Sequence, residues 1–167
     1  MLEVKIQKLD PNAIIPTRGS SSAAGYDLYA LNSETIEGGE TKLIHTGIAV
    51  EIPEGYFGAI YARSGLATKR GLAPANCVGV VDSDYRGEIM VALHNSNQAV
   101  IVYKSPLDSD TVYFQPGANN FATSSIEKGE RVAQLVIQKY EEINFVECEG
   151  LEETARGKGG FGSSGTK

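Results

Sequence analysis

Short runs in which apolar and polar residues alternate recur along almost the whole chain. Such alternation is typical of β-strands that bury one face, and no run sustains a helical period. The alternating runs are 41–53, 57–62, 88–95, 99–103, 111–114 and 131–140. Residues typical of turns separate them at 38–39, 53–55, 116–117 and 128–129. Many short strands with these turns predict an all-β barrel or sandwich.

The best helical signal is a single turn in GLATKR, directly after Ser64. Serine is a good N-cap, so we expect Ser64 to cap this helix. Gly65 would let a ligand approach the backbone, and Arg63 would add a fixed cation. The stretch ARSGLA is therefore a candidate anion-binding turn, although a simple capped turn explains the same residues.

The composition changes after residue 140. The segment 141–155 carries six glutamates and predicts an acidic, solvated arm. The next ten residues, RGKGGFGSSG, are half glycine and cannot fold alone. Backbone N–H groups in this segment could surround an oxyanion with help from Arg156 and two serines, and Phe161 could stack on a base.

Composition and charge narrow the function. A chain of 167 residues suits one domain with a real core, and its net charge of -6 argues against broad nucleic-acid binding. The start, MLEVKIQKLD, lacks the apolar core of a signal peptide, and no apolar run reaches membrane-spanning length. Cys77 and Cys148 belong to no C-x-x-C pair, so we expect free thiols and no zinc site. We expect a cytoplasmic protein that binds neither membranes nor nucleic acid directly.

The stretch GVVDSDYRGEI, residues 79–89, ends an apolar run in a carboxylate. An ordinary β-hairpin with an acidic tip would explain it. With two candidate anion sites elsewhere in the chain, however, Asp82 could deprotonate a water for in-line attack on a phosphate. Tyr85 could pack its ring against a sugar. The three stretches together indicate a nucleotide site.

Five stretches in chain order resemble the five motifs of the homotrimeric dUTPases. That family hydrolyses dUTP to dUMP and diphosphate with Mg²⁺, which limits uracil incorporation into DNA. The resemblance implies a distorted jelly roll of β-clip type, with one short helix and a flexible glycine-rich C-terminal arm. It also implies a homotrimer with shared active sites. The five stretches are AAGYDLYA (23–30), ARSGLATKRGL (62–72), NCVGVVDSDYRGEIMVALHN (76–95), KGERVAQLVI (128–137) and RGKGGFGSSG (156–165).

By this resemblance Asp82 is the general base that activates water for attack on the α-phosphorus. Tyr85 packs against deoxyribose and leaves no room for a 2′-hydroxyl. Asp27 resembles an acid that holds waters around a metal, with Mg²⁺ held mainly by the substrate phosphates. The residues that resemble phosphate contacts are Arg63, Ser64, Gly65 and Gln134.

The uracil edge, by the same resemblance, pairs with the backbone of a tight hairpin. A lid from the C-terminal arm, which in the family closes over a neighbouring subunit's site, stacks on the base and holds the γ-phosphate. The hairpin contacts are Asn76, Gly79, Val80, Val81 and Met90. The lid residues are Arg156, Phe161, Gly162, Ser163 and Ser164.

A long connection, Ser96–Lys128, joins the third and fourth motifs, where the family usually has a short hairpin. We expect a β-insert on the surface of a core formed by residues 1–140, with 141–167 as arm and lid. With this insert the chain resembles the staphylococcal-phage branch, whose members are implicated in binding repressors of mobile pathogenicity islands. The aromatics of the insert are residue types favoured at interfaces, so 96–128 is a candidate docking surface for a repressor.

Two other functions fit the same residues. The chain could act mainly as a regulatory binding protein in which the nucleotide site serves as a switch. It could also be a dCTP deaminase, which shares the fold, although RSGLA and GVVDSDY fit the diphosphatase pattern better. Release of ammonia from dCTP would distinguish the deaminase.

Overall fold

The computed structural model of the protein describes residues 2–97, 100–104, 112–116 and 122–160, with the backbone alone for 100–104 and 112–116. These residues form a series of short strands and one short helix. The strands are β1 (Lys5–Lys8), β2 (Thr17–Arg18), β3 (Tyr26–Tyr29), β4 (Glu34–Ile36), β5 (Thr41–His45), β6 (Ile48–Glu51), β7 (Tyr56–Ala62), β8 (Leu72–Pro74), β9 (Gly79–Val81), β10 (Met90–Asn95), β11 (Val100–Lys104), β12 (Val112–Pro116), β13 (Ser124–Ile126) and β14 (Arg131–Lys139). The helix is α1 (Ser64–Arg70).

The strands pair antiparallel in separate sheets. The largest sheet has the order β2-β3-β14-β7-β9, and a three-stranded sheet has the order β5-β10-β8. The pairs β1–β6, β4–β13 and β11–β12 complete the described pairing. The predicted all-β class with one short helix is confirmed, and in the described part of the chain the strands form separate sheets rather than a closed barrel.

Apolar side chains from the two larger sheets meet in one core. Along β10 every second residue is buried, and Leu93 is fully enclosed. Leu28 on β3 and Val132 on β14 are equally enclosed on the other side of the core. The alternation in the sequence identifies the inward face of β10, whereas β3 and β14 each bury two consecutive residues.

The predicted run 41–53 is two strands rather than one. Gly47 has a φ of +69°, in the left-handed region that favours glycine, and it breaks the run between β5 and β6. After this break β5 pairs with β10, whereas β6 pairs with β1. The turn at Gly47 thus places the two halves of the run 41–53 in different sheets.

Helix α1 forms where it was predicted, but the prediction that Ser64 caps it is wrong. Arg63 is the N-cap, with extended backbone and no capping hydrogen bond from its side chain, and Ser64 is the first helical residue. Strand β7 ends at Ala62, so the chain must turn from strand to helix at Arg63 itself. Gly71, with a φ of 63°, ends the helix in the left-handed conformation.

The predicted hairpin over 79–89 is also wrong. Strand β9 is an edge strand of the five-stranded sheet, paired with β7, whereas β10 is the central strand of the three-stranded sheet. The loop between them crosses from one sheet to the other. Val81 at its start and Ile89 at its end are both buried in the core, which favours a crossing over a hairpin.

After β14 the described part of the arm, 141–160, contains neither helix nor strand. Its apolar side chains face solvent: Ile143 is 67%, Phe145 90%, Val146 79% and Leu151 89% exposed. Cys77 and Cys148 are free thiols, as predicted. No helix among the described residues is long and apolar enough to cross a membrane.

Candidate active site

One group of predicted residues surrounds a buried carboxylate, Asp27 on β3. Gln134 lies opposite Asp27 in the register of β3 and β14, and its Nε2 donates to Asp27 Oδ1 at 3.4 Å. Arg63 Nε lies 3.4 Å from the same oxygen, and Arg131 Nη1 lies 3.3 Å from Oδ2. Arg63 also donates from Nη1 to the backbone oxygen of Arg131 at 2.8 Å. We call these four residues the arginine cluster.

The arginine cluster holds more positive than negative charge. Asp27 is only 3% exposed, while the side chains of Arg63 and Arg131 are 23% and 49% exposed. The carboxylate therefore fixes two guanidinium groups that still reach solvent. Ser64 and Gly65 are exposed beside Arg63, and the side of Gly65 where a Cβ would stand is open space. This arrangement suits an anion.

The predicted role of Asp27, which is to hold waters around a metal, stays a prediction. Both of its oxygens face an arginine, so a water-mediated contact to a cation would compete with these partners. Among the described residues there is no group of three or more acidic, histidine or cysteine side chains that could hold a metal ion. The donors present therefore fit Mg²⁺ carried by phosphates better than Mg²⁺ held by the protein.

A second group lies on residues 76–88, which include β9 and most of the crossing loop after it, and we call this segment the tyrosine loop. Val81 is buried, but Val80 is 63% exposed, and Asp82 is exposed directly after β9. The backbone N–H of Tyr85 donates to Asp82 O at 3.2 Å and closes a tight turn. Asp82 and Val80 line an open groove of about 570 Å³.

Three aromatic residues of this groove were missed by the sequence analysis. They are Tyr56 and Phe57 at the start of β7, and Tyr140 after β14. Phe57 and Tyr140 stack edge to face with ring centroids 6.4 Å apart. The three aromatic residues are visible in the sequence, in YFGAIYA and QKY. The alternating pattern places such rings on one face of a strand, but it does not show which other residues they contact.

The tyrosine loop is anchored by Glu88, another residue that sequence reasoning missed. Its Oε1 accepts from the backbone N–H of Gly47 at 2.8 Å, and its Oε2 lies 2.8 Å from His45 Nδ1. Burial raises the pKa of Glu88, but the hydrogen bonds from His45 and Gly47 outweigh it and hold this pKa below its usual value. Ile89, next in the chain, donates from its backbone to Ile48 at 2.8 Å.

The arginine cluster and the tyrosine loop lie at opposite ends of β7. Arg63 follows the last residue of β7, whereas Val81 is opposite Gly58, near its first residue. Asp82 is thus about six residues from Arg63 along the strand, or roughly 20 Å at about 3.3 Å per residue. Within one chain these two groups are therefore far apart.

The remaining predicted residues fall in several places. Asn76 Nδ2 lies within about 3.3 Å of the position of a Cβ on Gly79, so these two are adjacent. Met90 lies on β10 opposite His45, away from β9. Arg156 donates from Nε to the backbone oxygen of Gly159 at 3.0 Å on the exposed arm. The predicted lid residues Phe161, Gly162, Ser163 and Ser164 lie outside the described residues.

The chain is similar to known proteins along nearly its whole length. The family model described as dUTPase matches residues 11–106 and 117–165. A deoxyuridine 5'-triphosphate nucleotidohydrolase of Rickettsia bellii is 45% identical over 166 residues, which cover 98% of this chain and 95% of that protein.

Solved structures extend the similarity to the fold. The dUTPase of Staphylococcus bacteriophage 80alpha with dUPNHPP has a TM-score of 0.81 and 30% identity, and the match covers 99% of both chains. The dUTPase of phage phi11 of S. aureus, described with a species-specific insert, has a TM-score of 0.73 and 27% identity, with 92% of this chain and 100% of that chain covered. A mutant of the phi11 protein coordinates a structural Mg(II) ion. These similarities confirm the predicted jelly-roll fold.

Proposed function

This chain belongs to the dUTPase family and is a dUTP diphosphatase, and we propose that its active site is divided between neighbouring copies of the chain. The observation that supports the division is the separation of Arg63 from Asp82 at opposite ends of β7. A homotrimer would place the tyrosine loop of one copy beside the arginine cluster of the next. Closed rotational symmetry then repeats the same composite site at each interface.

On the nucleoside side, Asp82 is the proposed general base. It is exposed in a groove large enough for a nucleoside, and the turn closed by Tyr85 fixes its backbone. A carboxylate in that place takes the proton of a water that attacks the α-phosphorus. The ring of Tyr85 packs against the sugar. The backbone around Gly79 and Val80, with Asn76, reads the uracil edge.

On the phosphate side, the arginine cluster supplies fixed positive charge. Asp27 and Gln134 hold the guanidinium groups of Arg63 and Arg131, which limits their motion before a phosphate arrives. Ser64 and Gly65 add an exposed hydroxyl and open backbone. dUTPases generally use Mg²⁺, and here it would enter with the substrate phosphates and neutralise part of their charge.

The arm is the proposed third part of the site. Phe145 and its apolar neighbours are exposed on one chain, and burying one such side chain is worth about 1.5–3 kcal/mol. An open apolar groove of about 460 Å³, lined in part by Ile6, Ile15 and Ile137, offers a place for them on a neighbouring copy. An arm docked there carries Arg156 and the glycine-rich lid toward the neighbour's nucleotide. The proposal places the enzyme in the cytoplasm with its substrate.

The nucleotide preference tests this assignment. Each of dUTP, dTTP, dCTP and UTP is incubated with the protein and Mg²⁺, and diphosphate and ammonia release are measured. We expect diphosphate from dUTP in strong preference to the other three. Cytosine presents a polar mismatch at the base edge, which costs about 1–3 kcal/mol, while the methyl group of thymine and the 2′-hydroxyl of UTP need space that the proposed site does not leave. Equal rates with UTP would contradict the role of Tyr85, and ammonia from dCTP would indicate a deaminase.

Regulation of a repressor is a second candidate function, and the contacts of helix α1 favour it. Asn97 donates from Nδ2 to the backbone oxygen of Arg70 at 2.6 Å, and Ser96 donates from Oγ to Gly71 O at 2.9 Å. From the other end of the insert, Ser125 O accepts from Arg70. Both ends of the predicted insert, 96–128, therefore contact the C-terminal end of the helix that begins after Arg63.

Further support for this second function comes from the phage relatives. The 80alpha protein is described as controlling transfer of virulence genes by a G-protein-like mechanism, and the match to the family model is interrupted at 107–116. The proposed docking residues Tyr103, Tyr113 and Phe114 have side chains outside the described residues. We propose that nucleotide and repressor bind antagonistically, and coupling between two sites is reciprocal.

A shortened protein tests the second function. Residues 98–121 are replaced by a short hairpin, and binding to a candidate island repressor is measured with and without a slowly hydrolysed dUTP analogue. We expect the shortened protein to hydrolyse dUTP normally but to bind the repressor weakly. Equal binding by both proteins would remove the insert from the interface, and unchanged binding at saturating analogue would remove the antagonism.

A further inference from the structure

The ring of Tyr85 occupies space that any side chain at position 87 would need. A Cβ built on Gly87 would stand 2.6 Å from Tyr85 Cζ and 3.0 Å from Cε2, and it would also overlap Oη. Carbon atoms in contact are normally about 3.5–4.0 Å apart. The tyrosine ring thus lies directly over the α-carbon of Gly87.

The backbone of Gly87 does not itself demand glycine. Its φ lies outside the left-handed region, in contrast to Gly47 and Gly71, which have φ values of 69° and 63°. An alanine at position 87 would therefore be compatible with the backbone conformation. The constraint at Gly87 is the position of the tyrosine ring.

The backbone oxygen that accepts the hydrogen bond of the tyrosine hydroxyl is held in place by the hydrogen bonds of neighbouring residues. Tyr85 Oη donates to the backbone oxygen of Glu88 at 3.1 Å. The side chain of Glu88 is held by Gly47 and His45, and Thr46 Oγ1 donates to Ile89 O at 2.5 Å. The loop backbone is thus bound to the β5–β6 turn on both sides of this carbonyl, whereas Tyr85 itself is 43% exposed.

We propose that Gly87 is a positioning residue for sugar selection, because it alone leaves room for the Tyr85 ring above the loop. A side chain at 87 would move the exposed ring and not the anchored backbone. The ring would shift by about 1 Å to reach normal contact distance, which breaks its hydrogen bond to Glu88. The inference rests on the proposed contact between Tyr85 and deoxyribose, and it adds the group that holds the ring in place.

The test is a double-mutant cycle on sugar discrimination, the ratio of kcat/KM for dUTP to that for UTP. We expect Gly87→Ala to lower this ratio about tenfold or more, since displacement of the ring opens space for a 2′-hydroxyl. In the Tyr85→Ala background the same Gly87→Ala change should have no further effect on the ratio. Gly19→Ala is the matched control, because a Cβ there meets open space.

The outcomes separate the inference from the function on which it rests. If Tyr85→Ala leaves discrimination unchanged, Tyr85 does not read the sugar and both ideas fail. If Tyr85→Ala lowers discrimination but Gly87→Ala does not, only the role of Gly87 fails. Thermal unfolding of Gly87→Ala should match that of Gly19→Ala. Loss of the folded state in Gly87→Ala would place the constraint in the backbone and overturn the inference.

Discussion

The arginine cluster and the tyrosine loop hold their functional groups by different means. In the arginine cluster, side chains from separate elements converge on the buried carboxylate of Asp27. In the tyrosine loop, backbone hydrogen bonds and the anchor at Glu88 fix an exposed surface. The geometry of the arginine cluster therefore depends on the ion pairs with a buried carboxylate. The geometry of the tyrosine loop depends on the conformation of its backbone.

The two regions should therefore respond differently to substitution of their side chains. Removing Asp27 from the arginine cluster leaves both arginines without a countercharge, so the fold itself is expected to suffer. Replacing an exposed side chain on the tyrosine loop leaves the backbone hydrogen bonds intact, so chemistry is expected to change with little loss of stability. The comparison would be wrong if substitutions in the arginine cluster changed activity alone, or if substitutions of exposed side chains on the tyrosine loop destabilised the fold.

The largest effect is expected at Asp82. Asp82→Asn keeps the size of the side chain but removes the base, so kcat should fall about 10²–10⁴-fold. Binding of a slowly hydrolysed dUTP analogue, measured by calorimetry, and the unfolding temperature should stay close to those of the unchanged protein. Asp84→Asn, an exposed neighbour on the same turn, is the matched control and should keep nearly full turnover. Near-normal turnover in Asp82→Asn would remove Asp82 from catalysis.

The next effect concerns the stability of the arginine cluster. Asp27→Ala removes the carboxylate shared by Arg63 and Arg131, and we expect the free energy of unfolding to fall by about 1–3 kcal/mol. This expectation lies below the loss of about 3–5 kcal/mol typical of a fully buried pair, because both arginines reach solvent. Glu51→Ala breaks an exposed pair with Lys5 and should cost much less, because solvent screens an exposed pair. Urea denaturation of both variants measures the difference, and equal losses would contradict a special role for burial.

The smallest effect is a pH dependence at the anchor of the tyrosine loop. The pKa of Glu88 is lowered in the folded protein, so its charged form stabilises the fold above the unfolded value of 4.5. That contribution is lost as the pH falls through the folded pKa. The unfolding temperature of Glu88→Gln should therefore lie slightly below that of the unchanged protein near pH 7, and the gap should close below pH 4.5. A gap that widens on acidification would have the wrong sign.

The sequence predicted elements more reliably than the relation between them. The alternating runs predicted the positions of β5, β6, β7, β10 and β14 closely. A strand that buries one face tends to carry apolar residues on that face, and this preference is visible in the sequence. It did not reveal that Gly47 divides one run between two sheets, since the left-handed backbone appears only in the fold. The hairpin predicted at 79–89 was wrong for a related reason: a strand pattern shows which residues are buried, but not which sheet buries them.

The candidate site, too, could be predicted from the sequence only in part. Motif order identified Asp27, Arg63 and Gln134, and the fold brings these into one cluster. Arg131 and Glu88 were missed although they lie inside recognised motifs, because their roles depend on side chains distant in sequence. The separation of Arg63 from Asp82 could not be predicted from spacing at all, because it follows from the antiparallel register of β7 and β9.

A mixing experiment tests the divided site most directly. Asp82→Asn chains and Arg63→Ala chains, each inactive alone, are mixed in equal amounts, unfolded and refolded together, and native mass spectrometry confirms mixed trimers. If Asp82 of one copy works with Arg63 of the next, about a quarter of the sites combine an intact base with an intact arginine, and about a quarter of wild-type activity returns. If mixed trimers form and no activity returns, both groups act from the same chain and the divided site is wrong.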